Sequence, residues 1–267
     1  MIHVMLDLET WGKRPGCDLR SIGACVFDPL TGNIPCWDAS AEPGHRLRFL
    51  EGAFYVATDN PVAMPGYNDN DCPDQYRKYP LTRDPETVQW WKDQSTDAQA
   101  AFGDPVDLRD ALLRFALWLE SLSTERPFTF LHYPDGINPA NLIWSHGPTF
   151  DVSILDAAYH AVGLPVPWHY RAPRDTRTIL EAAGMDPHKG LEPFNVGTHH
   201  HALDDAIAQA RAVCAAYERL RAPLASLRTA VAHIDHMSVW IVQQNAGYSF
   251  ERLGEDMEGI KAPLRGA

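Results

Sequence analysis

The sequence predicts an α/β fold in which a mixed sheet, made of an antiparallel meander plus parallel strands, is flanked by helices. Apolar, β-branched residues at 2–8 and 21–27 precede turn-forming segments such as 28–33, as in strands joined by hairpins. The strand-like residues 141–144 lie between segments of helical spacing, as in αβα units. Together these patterns favour a meander followed by parallel strands.

The remaining elements are predicted from periodicity and composition. A short alternation at 46–49 predicts a third strand of the meander. Residues 55–83 are rich in Pro, Asn, Asp and Gly, which predicts a long surface loop or insertion. Apolar residues at helical spacing predict helices at 85–92, 108–122, 152–162, 178–183, 202–220 and 225–244.

The composition, 45% apolar and 22% charged, is ordinary for a globular protein, and 267 residues are near the upper size of one α/β domain. The chain has no apolar run of about 18 residues and no basic start followed by an apolar core. We therefore expect a cytoplasmic protein without a membrane span. The cysteines are odd in number, five, and lack C-x-x-C spacing, which argues against a disulfide framework or a thiolate zinc site.

The net charge of -12 weighs against a protein that holds long nucleic-acid duplexes, because that binding mode needs many Lys and Arg on one face. It does not exclude a protein that contacts only a few nucleotides. In such a protein, bound cations can neutralise the acidic side chains.

Two carboxylates occur two residues apart, at Asp7 and Glu9, where the first strand ends. Side chains at this spacing lie on the same face of a strand. Two like charges held together are costly unless a cation lies between them, so the pair favours a site for a hard metal ion. The alternative is that both carboxylates are simply solvated.

Two further segments carry acidic residues at helix starts. Asp151 follows a Gly-Pro turn after the strand at 141–144, where it could also serve only as a helix N-cap. The segment 199–206 has three consecutive histidines before Asp205, which places a histidine one turn before an aspartate.

In this order and spacing, the three segments resemble the DEDD superfamily of 3′-to-5′ exonucleases, which have a ribonuclease-H-like fold. Residues 200–206 have the form H-x-A-L-x-D-A, which is similar to the histidine subclass, DEDDh. Residues 84–91 and 174–178 resemble the exonuclease-VIII-like and mycobacterial 3′-5′ exoribonuclease-like branch. The resemblance covers roughly residues 1–215.

Carried over residue by residue, the resemblance implies a general base, His200, and two divalent cations, Mg²⁺ or Mn²⁺. The four metal ligands would be Asp7, Glu9, Asp151 and Asp205. His201 is an alternative base, since it stands four residues before Asp205, the spacing that a sister subclass uses for tyrosine. The chain also departs from the branch, which usually has Gly-Asn-Gly before Asp151 where this sequence has Ser-His-Gly at 145–147.

Several residues near these motifs are candidate substrate contacts. Thr10 could contact the terminal sugar or simply end the strand. Trp11 and Trp90 could stack on terminal bases, since aromatic faces bind bases with little sequence preference. Adjacent tryptophans on a helix cannot share one face, so Trp90 or Trp91 is expected in the core.

Two arginines near the predicted helix at 178–183 are candidate phosphate contacts. Arg174, and equally Arg177, could bind a phosphate of the substrate. The alternative is that both are surface charges beside a helix cap.

The resemblance implies a metal-dependent 3′-to-5′ exonuclease that acts on single-stranded RNA or DNA 3′ ends and releases 5′-mononucleotides by a two-metal-ion mechanism. The exonuclease domain would span 1–220, with an insertion at about 55–83, and 221–267 would be a helical extension and tail. A homodimer is expected. The alternative is a catalytically silent nucleic-acid-binding or partner-recruiting module on the same fold, although the metal ligands and histidine are all present.

Overall fold

The structure, a computed structural model, describes residues 2–37, 52–64, 72–122 and 141–244, and only the backbone of 223–227 and 235–244. The chain divides into two compact units, Met1–Ala215 and Ala216–Ala267. None of the described helices has both the length and the apolar character needed to cross a membrane.

The strands form one mixed sheet in the described residues: β1 (Ile2–Thr10), β2 (Leu19–Phe27), β3 (Ala53–Asp59), β4 (Val106–Asp107), β5 (Asn141–Ser145) and β6 (Pro173–Asp175). The strand order is β4-β3-β2-β1-β5-β6. β2 is antiparallel to β1 and β3, whereas β5 is parallel to β1 and β6. An antiparallel meander thus joins parallel strands, and the predicted fold class is confirmed.

Several helices begin where an aspartate side chain caps their free N–H groups. Asp84, Asp107 and Asp175 each accept a backbone hydrogen bond at a helix start, as is typical of N-caps. The helices are α1 (Pro85–Lys92), α2 (Thr96–Ala100), α3 (Leu108–Ser121), α4 (Asp151–Ala161), α5 (Thr176–Ala182) and α6 (Ala202–Gln244).

The two faces of β1 have different roles. Val4, Leu6 and Leu8 belong to the main core, which also contains the buried residues of α3 and α4. The alternate residues point the other way: Met5 accepts a hydrogen bond from Thr176 at the start of α5, and Asp7 accepts one from α6. The period of two in a strand therefore assigns one face of β1 to packing and the other to polar chemistry.

Two predictions of secondary structure were wrong in part, and a short strand was missed. Residues 55–59 of the predicted insertion at 55–83 belong to β3, because its aromatic and β-branched residues pair with β2. The predicted helices 202–220 and 225–244 are one continuous helix, α6. β6 was not predicted at all, since three residues are too short to show alternation. The predicted strand at 46–49 lies outside the described residues.

The first turn of α6 lies directly against the sheet at Gly23. This residue pairs with Asp7 in the β1–β2 ladder. A Cβ atom at Gly23 would lie 2.1 Å from the backbone carbon of Ala202 and 2.2 Å from the nitrogen of Leu203. Only glycine lets the first turn of α6 lie against the backbone of β2.

Replacing Gly23 by alanine should therefore destabilise the protein. The methyl group would displace backbone, which cannot rotate away, so we expect a loss of about 1–3 kcal/mol in the free energy of unfolding. Gly190→Ala is the matched control, because its Cβ would meet nothing closer than 3.7 Å. Urea denaturation measures both variants, and equal stabilities for the two would contradict the close approach.

Candidate active site

Three predicted ligands meet at the end of β1. Asp7, Glu9 and the α6 residue Asp205 each offer one carboxylate oxygen, and these oxygens all lie within 4.8 Å of one another. The strand spacing brings Asp7 and Glu9 together, and the approach of α6 to Gly23 adds Asp205. Carboxylates from two elements far apart in sequence thus form one acidic cluster.

Asp151 is the first residue of α4 and is only 4% exposed. The N-cap of this helix is Phe150, so the interpretation of Asp151 as an N-cap is wrong. Its carboxylate adds to the negative charge around Asp7, where it has the largest charge effect on the Asp7 pKa. Asp151 thereby belongs electrostatically to the cluster of Asp7, Glu9 and Asp205.

Burial and mutual repulsion raise the pKa values of the cluster. Burial, followed by the charges of Asp151, Asp205 and Glu9, raises the pKa of Asp7 well above its usual range. Burial raises the pKa of Glu9 to about 8, that of Asp151 to about 7 and that of Asp205 to about 6. Four carboxylates held at this cost fit a divalent cation, which would neutralise them and accept their oxygens as ligands.

His200 lies beside the cluster on the loop that precedes α6. One of its ring nitrogens lies within 4.8 Å of ligand atoms of Asp205 and His199. Its backbone N–H donates to Oδ2 of Asp205 at 3.1 Å, and its backbone is left-handed, with φ of 64°. Burial, together with the charge of His199, lowers the pKa of His200 to about 4, so the imidazole is neutral at pH 7.

His201 has different neighbours. Its ring stacks on Tyr55 of β3 with centroids 4.3 Å apart, and its Nδ1 accepts a hydrogen bond from the backbone N–H of Asp204. The structure places a ring nitrogen of His200 within 4.8 Å of a carboxylate oxygen of Asp205, whereas the ring of His201 contacts Tyr55 and the backbone of Asp204. This placement favours His200 as the histidine of the motif.

The two adjacent tryptophans divide between surface and core. Trp90 is 42% exposed, and its ring meets that of His200 edge to face with centroids 4.8 Å apart. Trp91 is 2% exposed and donates from Nε1 to the carbonyl of Thr10 at 2.8 Å. Trp90 is therefore the exposed tryptophan of the pair, and it contacts His200.

Two predicted substrate contacts already have partners within the chain. The Thr10 hydroxyl donates to the carbonyl of Gly12 at 2.6 Å. Nη1 of Arg174 donates to the carbonyls of Arg171 and Pro173 at 2.7 and 2.9 Å. Their roles in substrate binding stay predictions.

Arg177 lies beside Gly147, and its charge acts on Asp151. A Cβ atom on Gly147 would meet its guanidinium at 3.0 Å, and its positive charge opposes the burial that raises the Asp151 pKa. Of the two arginines considered from sequence, Arg177 is the one that influences a cluster carboxylate.

Sequence reasoning missed two polar residues that support the cluster. Arg20 on β2 is 8% exposed, and its Cζ lies 4.0 and 3.7 Å from the ring centroids of Trp91 and Phe102. Its charge lowers the pKa of Glu9 against the larger effect of burial. Gln209 on α6 donates from Nε2 to Oδ1 of Asp7 at 2.7 Å. The signal in the sequence was a polar residue among apolar ones, in the strand β2 for Arg20 and on the apolar face of α6 for Gln209. Such residues are rarely buried unless they have a partner.

A mixed sheet with carboxylates clustered where its central strand ends agrees with the fold and the site that the sequence motifs predicted. The chain belongs to the family described as the 3′-5′ exoribonuclease Rv2179c-like domain, whose model matches residues 2–217. The protein is accordingly an enzyme of the 3′-to-5′ exonuclease class, as the sequence motifs predicted. No curated protein matches the chain.

Solved structures of exonucleases are similar to the chain at low sequence identity. The nuclease domain of 3′hExo, a DEDDh family member bound to rAMP, has 13% identity and a TM-score of 0.42, covering 81% of this chain and 92% of that one. S. pombe Pop2p, in its Mg²⁺- and Mn²⁺-bound form, has 15% identity and a TM-score of 0.44, covering 80% and 81%. E. coli Exonuclease I with an oligonucleotide has 15% identity and a TM-score of 0.44, covering 85% of this chain and 43% of that one.

The raised pKa values predict how stability depends on pH. Folded carboxyl groups with raised pKa values bind more protons than the unfolded chain, so the contribution of these four groups to metal-free stability should fall as pH rises from about 4 towards about 8. Cation binding requires the ionised carboxylates and releases these protons. Stabilisation by Mn²⁺ should therefore grow with pH in this range.

Thermal denaturation with chelator and with excess Mn²⁺, repeated across this pH range, measures the difference between the two midpoints. Asp7→Asn is the control, since it removes one ligand and one repelling charge and should flatten the pH dependence. A midpoint shift that stays constant with pH in the unmodified protein would contradict the prediction.

Proposed function

We propose that this protein is a metal-dependent exonuclease that hydrolyses phosphodiester bonds at the 3′ ends of single-stranded nucleic acid and releases 5′-mononucleotides by a two-metal-ion mechanism. The observation that carries the proposal is the cluster of Asp7, Glu9 and Asp205, with ligand oxygens within 4.8 Å, beside a neutral His200. The description of the family as exoribonucleases supports RNA as the preferred substrate, with DNA as the alternative.

Asp7, Glu9, Asp151 and Asp205 would hold the cations, Mg²⁺ or Mn²⁺. Carboxylate oxygens are the donors that these hard ions prefer. When bound, the ions increase the acidity of a water molecule and neutralise charge on the scissile phosphate. The hydrogen bond from Gln209 leaves Asp7 with its second oxygen available and fixes the direction in which that oxygen points.

His200 accepts the proton of the attacking water at a ring nitrogen. Since its pKa is lowered to about 4, the ring is unprotonated and available at neutral pH before substrate binds. The bond from its backbone N–H to Asp205 holds the loop against the metal ligand, so base and cluster keep one geometry. General-base catalysis of this kind contributes about 10² to 10⁴ in rate.

Trp90 and Arg177 are the side chains best suited to hold the end of the strand. The ring of Trp90, which is exposed beside His200, can stack on the terminal base. Arg177 carries its charge next to Asp151 and can pair with a phosphate oxygen. Thr10, Trp11 and Arg174 are proposed in supporting roles, as predicted from sequence.

Digestion of matched RNA and DNA strands tests the proposal. Strands labelled at the 5′ or the 3′ end are incubated with Mg²⁺, with Mn²⁺ or with chelator. We expect cleavage only with a cation, shortening from the 3′ end and 5′-monophosphate products. Full activity with chelator, a ladder growing from the 5′ end, or binding without cleavage would contradict it, the last in favour of a silent binding module.

Paired histidine variants test the base. His200→Ala should lower the single-turnover rate by about 10² or more, because the proton acceptor is lost. His201→Ala should lower it much less, since this ring contacts Tyr55 and Asp204. Calorimetric titration with Mn²⁺ is the control, and both variants should bind metal. A crippled His201→Ala enzyme beside a normal His200→Ala enzyme would overturn the assignment.

Cytoplasmic location, the homodimer, and the assignment of 1–220 and 221–267 to an exonuclease domain and its extension remain predictions.

A further inference from the structure

A second group of possible metal ligands adjoins the carboxylate cluster and differs from it in chemistry. His199, His200 and Asp205 each offer one ligand atom, and the three atoms all lie within 4.8 Å of one another. We call these three residues the histidine group. It shares Asp205 with the carboxylate cluster and adds two imidazoles. His199 is not part of the H-x-A-L-x-D-A motif, which begins at residue 200.

The backbone around residue 200 brings these side chains together. In an extended chain neighbouring side chains point to opposite sides, but the backbone of His200 is left-handed, with φ of 64°. The rings of His199 and His200 lie close to each other, with centroids 4.0 Å apart. The backbone N–H of His200 donates to Oδ2 of Asp205 at 3.1 Å, which holds the carboxylate beside the two rings. The histidine group is thus arranged before any ion binds.

The histidine group is accessible to ions from solvent. His199 is exposed, whereas His200 and Asp205 are half-buried. The ring of His200 is held by Trp90, which it meets edge to face with centroids 4.8 Å apart. An ion can therefore reach the group from the side of His199, and a water molecule can complete its coordination.

The charges near the histidine group favour a cation. Asp7 and Glu9 place carboxylate oxygens within 4.8 Å of an oxygen of Asp205, and the negative charge of Asp204 also acts on Asp205. Arg20 acts on Glu9 but is not among the charges that act on Asp205. A cation bound by the histidine group would therefore reduce the repulsion among its acidic neighbours.

Two imidazoles and a carboxylate suit zinc better than magnesium. Zn²⁺ is bound by histidine nitrogens and carboxylate oxygens at about 2.0–2.2 Å, and an open site has three protein ligands and a water. Mg²⁺ instead takes oxygen ligands in octahedral geometry. A tetrahedral ion with these bonds holds its ligand atoms roughly 3.4 Å apart, so separations of up to 4.8 Å must close by at most about 1.4 Å. Small side-chain rotations, above all of the exposed His199, provide this movement.

We propose that the histidine group binds Zn²⁺ and that the bound zinc inhibits the enzyme. The inference rests on the proposed function, in which His200 accepts the proton of the attacking water. A neutral imidazole has one unprotonated nitrogen, and a nitrogen that binds zinc cannot accept a proton. Zinc bound to Asp205 also competes with Mg²⁺ or Mn²⁺ for its oxygens. Because His199 binds zinc in this proposal and has no part in cleavage, the two effects can be separated.

Zinc binding by the variant His199→Ala tests the site without cleavage. Zn²⁺ is titrated calorimetrically into protein without substrate, in saturating Mg²⁺ so that magnesium occupies the carboxylate cluster. We expect His199→Ala to bind Zn²⁺ about 100-fold more weakly than the unmodified protein, since loss of even a supporting partner of a metal ligand costs about 10- to 100-fold. The matched control is His160→Ala, which removes an exposed histidine of α4 that lies 3.8 Å from the carboxylate of Asp156. It should bind zinc as the unmodified protein does.

Single-turnover cleavage in saturating Mg²⁺ with increasing Zn²⁺ tests the inhibition. The unmodified protein and His160→Ala should lose activity over the zinc concentrations that fill the histidine group in calorimetry. His199→Ala should cleave at the unmodified rate without zinc and should need about 100-fold more zinc for half inhibition, in proportion to its weaker binding. Equal zinc sensitivity of His199→Ala and His160→Ala would assign the inhibitory zinc to the carboxylate cluster and would overturn the inference.

The two measurements separate this inference from the proposed function. If Zn²⁺ binds the unmodified protein and His199→Ala with equal affinity, the histidine group is not a zinc site, and the inference is wrong whether or not the protein cleaves a strand. If His199→Ala weakens zinc binding in a protein that cleaves no strand with any cation, the exonuclease proposal is rejected and the zinc site is kept.

Discussion

The contact of α6 with Gly23 is the constraint on which the site depends. Backbone meets backbone there, at distances that leave no room for a side chain. Because Gly23 pairs with Asp7, the first turn of α6 lies next to the carboxylates of β1. This position brings Asp205 of α6, and His200 of the preceding loop, to the cluster. A contact between backbones cannot adjust by changing rotamers, so it fixes the distance between His200, the proposed base, and the carboxylates of β1.

The close packing at Gly23 also holds acidic side chains near one another, where they repel. Four clustered carboxylates, of which Glu9 and Asp151 are buried and the other two half-buried, oppose folding. The chain offsets their repulsion with groups from several elements: Arg20, Gln209, Arg177 and the backbone N–H groups of Leu8 and His200. None of these partners neutralises the cluster completely, as the raised pKa values show. Incomplete compensation is what leaves a protein site with affinity for a cation.

Much of the fold and of the site could be predicted, and the exceptions have physical reasons. Local signals sufficed for β1, α1 and the pair Asp7 and Glu9, because strand period and helix capping act within a few residues. β3 was hidden by the Pro- and Asn-rich residues that follow it. Arg20 and the division between Trp90 and Trp91 depend on contacts between distant elements, which no local pattern records.

The left-handed backbone of His200 destabilises the protein at a residue whose side chain we propose to be needed for catalysis. A side chain at positive φ costs roughly 1–2 kcal/mol, a strain that glycine would relieve. Redesign guided only by thermostability would accordingly favour glycine at position 200 and would yield a more stable protein that lacks the proposed proton acceptor. The single substitution His200→Gly is thus expected to give a stabilised but inactive protein. Screens of variants by melting temperature alone would select it.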